Sequence, residues 1–139
     1  ALSESRDEHI AAIAAKSLKE ISYHLRYSSE WTIRLGDGTE ESHQRMQAAL
    51  DTLWPYTGEL LLADDIDRTM AEAGLGADLD AIAPLYHERV AEVLEQATLT
   101  QPKIPYMQEG GKQGLHSEYM GFILAELQFV QRAYPGQKW

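Results

Sequence analysis

The chain has no cysteine, five prolines and two phenylalanines in 139 residues. Without cysteine there is no disulfide framework, no zinc–thiolate site and no thiol nucleophile. No apolar run is long enough to span a membrane as a helix, and no signal peptide is visible. Positive charge is also scarce. Twelve basic residues face 22 acidic ones, a formal net charge of -10, so the surface repels phosphate backbones and nucleic acid is excluded as a partner. What the chain does have is apolar content, at 44% enough to build a core. These features describe an acidic protein, expected in the cytoplasm, whose charge either solvates it or selects a basic partner.

The apolar residues recur at helical spacing almost everywhere. Ser3 or Ser5 is placed to cap a first helix carrying Ile10, Ile13, Ala14, Leu18, Ile21, Leu25, Trp31 and Leu35, which Gly36-Asp37-Gly38 ends. Such a helix is a rod of about 45 Å, a length typical of up-and-down bundles. Thr39 caps a second helix with Met46, Ala49, Leu50 and Leu53, and Trp54-Pro55 marks a kink or a new start. Asp64 or Asp65 opens a third, from Ile66 to Ala73. Asp78 or Asp80 opens a fourth, with Pro84 near its first turn. Residues 98–115 hold Pro102, Pro105, Gly110, Gly111 and Gly114 with no stable period, a long irregular loop of the kind that serves function or partners. Ser117 caps a last helix whose core face is Met120, Ile123, Leu124, Leu127 and Val130. No strand pattern stands out, so the class is all-α.

The first helix contains the outline of a metal motif. Glu-x-x-His places a carboxylate and an imidazole on one helix face of a carboxylate-bridged di-iron bundle. Here His24 is present, but Ile21 stands three residues earlier, where the carboxylate belongs. Ile21 has no lone pair to offer a metal. Glu20 lies about 100° away around the helix and does not substitute for it without a shift of register, such as a π-bulge. The plainer reading makes His24 a hydrogen-bonded histidine inside a helical bundle.

Other patterns fall short of a site. His87-Glu88 is followed by Ala91 where a zinc protease needs its second histidine. Asp64, Asp65 and Asp67 fit helix capping better than calcium binding. Gly111-Lys112 lacks the frame of a phosphate-binding loop. Gly110, Gly111, Lys112, Gly114 and His116 form either a docking surface or a loop that needs glycine for its own tight turns.

Several segments together resemble one family. They are residues 12–28, Arg34-Leu35-Gly36-Asp37-Gly38-Thr39, Leu53-Trp54 and Ala63-Asp64-Asp65-Ile66-Asp67. With them go Gly110-Gly111-Lys112-Gln113-Gly114-Leu115-His116-Ser117-Glu118, Leu124-Ala125-Glu126-Leu127-Gln128 and Pro135-Gly136-Gln137-Lys138-Trp139. These resemble the PaaC-type subunits of bacterial phenylacetyl-CoA epoxidases, the multicomponent monooxygenases of phenylacetate degradation.

The resemblance implies a ferritin-like helical bundle. This chain, residues 1–139, would supply its C-terminal portion, with the family's N-terminal helices missing. It further implies a metal-free structural subunit, without its own active site or cofactor. That subunit pairs with a catalytic oxygenase subunit that holds the di-iron centre and binds phenylacetyl-CoA, while a reductase supplies electrons. Ile21 and His24 would then be a degenerate metal motif, and Gly110, Gly111, Lys112, Gly114 and His116 the candidate partner interface. Two other readings compete: an active di-iron oxygenase using Glu20 and His24, and a helical interaction module of unrelated role. The exposed apolar stripe of half a bundle also calls for a mate, either the missing N-terminal half or a second copy.

Overall fold

The computed structural model describes residues 1–138, so Trp139, the end of the C-terminal run, lies outside the described residues. Six α-helices and four short 3₁₀ turns carry the fold, and no β-strand occurs among the described residues. The chain divides into two compact units, Ala1–Gln108 and Glu109–Trp139.

In the first unit, α1 (Glu8–Gly36) is a rod of 29 residues. Its cap is Asp7, whose carboxylate accepts from the backbone N–H groups of His9 and Ile10, both at 2.9 Å. The serines expected to cap it are engaged elsewhere. Ser3 lies within a 3₁₀ turn, Leu2–Glu4, and the Ser5 hydroxyl donates to the Leu75 carbonyl at 3.0 Å. Thr39 caps α2 (Glu40–Leu53) as its sequence indicates. Trp54-Pro55 then begins a 3₁₀ turn, and Gly58–Leu61 forms another where a return to α-helix was expected. Asp64 and Asp67 make a reciprocal capping box on α3 (Asp65–Glu72).

Asp78 caps α4 (Leu79–Gln96), where Pro84 is the sixth residue, one turn deeper than expected. At that depth it removes the bond to the Asp80 carbonyl rather than an N–H that would be unpaired anyway.

The core is small and lies where α1, α2 and α4 converge. Trp54, Leu94, Ala97 and Leu99 are buried, and Ile33, Met46, Leu50, Val90, Ile104 and Met107 pack around them. The rest of α1 is left uncovered by this chain. Ile13, Leu18, Ile21 and Leu25 are each more than half exposed.

In the second unit, α5 (Tyr119–Leu127) and α6 (Phe129–Ala133) replace the single last helix expected, with a break at Gln128. Ser117 contributes only its carbonyl, to the Met120 N–H, and not a side-chain cap. The expected core face is exposed: only Met120 is half-buried, while Ile123, Leu124, Leu127 and Val130 are open. Among the described residues no helix is long and apolar enough to cross a membrane.

Candidate functional site

Ile21 and His24 sit midway along α1, which runs from Glu8 to Gly36 as uninterrupted α-helix with no π turn. No bulge re-aims Glu20, so the register is the one its spacing implies. Ile21 is 59% exposed, and it lines an open apolar groove of about 420 Å³ with Leu2, Ile10, Ile13, Ala14 and Leu18. His24 is exposed as well, its ring 6.0 Å from that of Tyr23. The plainer expectation, a histidine enclosed in a bundle, is not met within this chain, because nothing in it covers that face of α1. Where a metal ligand would project, the groove wall is aliphatic.

A di-iron cage requires several carboxylates and two imidazoles from four helices, held in fixed geometry. The residues of this segment do not fit one. Among the described residues no three His, Asp or Glu side chains gather into a metal-holding group.

The glycine loop lies in the second unit. Gly110 and Gly114 adopt left-handed backbone, φ 99° and 84°, on either side of the 3₁₀ turn Gly111–Gln113. The Gly110 carbonyl accepts from Gln113 N–H at 3.0 Å and from Leu115 N–H at 2.8 Å. A Cβ on Gly110 would stand 2.6 Å from Leu115 Cδ1. These two glycines therefore answer the backbone needs of a tight turn. Lys112 and His116 are both exposed. The structure thus brings the five loop residues together in one turn and its exit, and keeps Ile21 and His24 on α1 in the other unit.

A junction that the sequence did not reveal ties three helices together. His43 Nδ1–H donates to the Gly36 carbonyl at 2.7 Å, which assigns the ring's tautomer, and the Thr98 hydroxyl reaches the same carbonyl at 3.3 Å. Thr98 closes α4 with φ 57°, the one non-glycine residue with positive φ among those described. A β-branched residue there is under strain of about 1–2 kcal/mol, so its hydroxyl bonds offset what its backbone costs. No sequence rule flags a threonine for this role, since glycine is the usual choice. Removing the hydroxyl alone and removing hydroxyl and strain together should separate the two effects. Thr98→Ala should be less stable than Thr98→Gly by about 1 kcal/mol in urea unfolding of the intact protein.

Residues 1–139 match the family model described as phenylacetic acid catabolic protein. The chain belongs to that family. It is 46% identical over 138 residues to the PaaC-type subunit of the 1,2-phenylacetyl-CoA epoxidase of Escherichia coli (strain K12). That alignment takes in 99% of this chain and 56% of the relative, so the chain spans little more than half the length of the curated relative it matches. The family is ferritin-like and helical, and the all-α architecture here agrees with it. For a family member, the aliphatic wall at Ile21 carries more weight than it does as an isolated near-match to a metal motif.

Proposed function

We propose that the protein is a non-catalytic structural subunit of a multicomponent di-iron monooxygenase that epoxidises the ring of phenylacetyl-CoA in phenylacetate catabolism in the cytoplasm. One observation carries the reading: in a chain 46% identical to a PaaC-type epoxidase subunit, the metal-motif carboxylate position holds Ile21, on a helix whose register is unbroken. The role is indirect. A long exposed apolar helix completes an intersubunit bundle and supports the subunit that holds the iron and binds substrate. This chain contributes no ligand and no proton-transfer group to the reaction. The reading that uses Glu20 as a ligand needs a shift in α1, and the regular helix weighs against it.

The test is turnover. The full-length protein, a catalytic oxygenase subunit of the same complex and their reductase are assayed for epoxide formation from phenylacetyl-CoA, together and with each protein omitted. Product should require the oxygenase subunit, and this protein with reductase alone should give none. Epoxidation by this protein in the absence of another oxygenase subunit would overturn the proposal.

A further inference from the structure

The exposed surface of α1 is not uniformly apolar. Tyr23, Tyr27 and Trp31, spaced by one helical turn, form a ladder. The first two rings are stacked at 6.0 Å and the next two meet edge to face at 6.2 Å. All three are 43–53% exposed, so this is a surface ladder and not part of the core. Two guanidiniums lie over it, Arg26 at 5.7 Å from the Tyr23 ring and Arg34 at 5.6 Å from that of Trp31.

At about 100° per residue, Lys16 and Lys19 fall in the same arc of roughly 140° as the ladder and both arginines. All four cations of α1 are therefore on one face. Two carboxylates, Glu20 and Glu30, share it, and Glu30 lies 3.8 Å from Arg34.

This face is an exception in the molecule. Outside α1 the chain has eight basic and 19 acidic residues. A cationic, aromatic strip on an otherwise strongly acidic protein has a definite complement. Aromatic side chains and arginine are the residues that interfaces favour, and charge complementarity fixes the register of a partner.

We infer that this face of α1 docks a helical protein segment presenting carboxylates interleaved with apolar side chains. The inference rests on the subunit reading above and names the surface through which that pairing is made. Apolar contacts of the segment seat against the three rings, and its carboxylates reach the Lys16, Lys19, Arg26 and Arg34 heads that flank them. A single-stranded nucleic acid would also meet stacking rings and cations. A polyanion running along the whole helix, however, enters the field of the remaining acidic surface, which an isolated protein segment with local carboxylates does not.

The test is a binding titration of the full-length protein with the catalytic oxygenase subunit at low and high salt. Wild type, the charge-reversed pair Arg26→Glu/Arg34→Glu and the neutral variant Tyr27→Ala are compared. Wild-type affinity should fall with salt, and each variant should lose at least about tenfold. Because these side chains are exposed, helicity and melting temperature should stay at wild-type values, and a second pair, Lys16→Glu/Lys19→Glu, repeats the charge test farther from the core. Wild-type binding with all variants unchanged would overturn the assignment of this face while leaving the subunit reading intact. No wild-type binding would overturn the subunit reading, and this inference with it. Variant-sensitive binding to a single-stranded oligonucleotide, or variant-sensitive self-association, in place of oxygenase binding would overturn the named occupant.

Discussion

Gly36→Ala should be the most damaging single-methyl addition to the helical junction, lowering stability by about 3 kcal/mol. Gly36 ends α1 and is buried directly against the end of α4. A Cβ there would stand 2.8 Å from Ala97 Cβ and would also press on the Ala97 carbonyl oxygen. Ala97 is fully buried, so it has no free space to retreat into. The obstruction includes backbone, which yields only if α4 moves away from α1. Such a movement would also disturb the bonds from His43 and Thr98 to the Gly36 carbonyl. An opposite result is expected at Gly121, inside α5, where an added Cβ meets nothing within 4 Å. Gly121→Ala should be neutral or stabilising by up to about 1 kcal/mol, since it only reduces the freedom of the unfolded backbone. Urea unfolding of the intact protein reads both.

Trp54→Ala should cost about 3–5 kcal/mol, the largest truncation penalty in the first unit. Trp54 is 8% exposed and is the one large aromatic side chain in the buried cluster with Leu94, Ala97 and Leu99. A core this small has no second layer to collapse into the space the indole leaves. The preceding helix ends at Leu53 and the following 3₁₀ turn begins at Trp54 itself, so the side chain also fixes where the chain changes direction. Loss of the indole should therefore lower the urea midpoint. A change in the slope of the transition as well would show that α2 and α4 no longer unfold together. A wild-type midpoint would mean that the cluster is not what holds these helices.

Much of the architecture was legible in the sequence, for reasons visible at particular residues. The run from Ile10 to Leu35 keeps a helical period, and Gly36-Asp37-Gly38 offers no continuation, so the long first helix was apparent. Thr39, Asp64 and Asp78 are short polar side chains just ahead of periodic segments, and each caps the helix it precedes. The first cap was misread because Ser3, Ser5 and Asp7 all qualify locally, and the choice among them depends on Leu75, 70 residues away from Ser5. The break at Gln128 carries no glycine or proline to announce it.

The candidate site was legible in part. Ile21 and His24 could be placed on one face by counting, and the unbroken helix keeps them there. Their exposure could not be foreseen from apolar periodicity, which marks a face as apolar without saying which chain covers it. The Gly36–His43–Thr98 junction joins positions up to 62 residues apart through a threonine in left-handed backbone, a conformation its β-branched side chain disfavours. The aromatic ladder had a signal in the four-residue spacing of Tyr23, Tyr27 and Trp31. That spacing is equally what a core stripe would show.

The most direct test of the scaffold reading is the iron content of the full-length protein purified by itself, set beside that of its complex with the oxygenase subunit. The expected result is no stoichiometric iron in the protein alone and iron in the complex that follows the amount of oxygenase subunit. Stoichiometric iron retained by this protein alone would contradict it, since Ile21 would then stand inside a working metal centre.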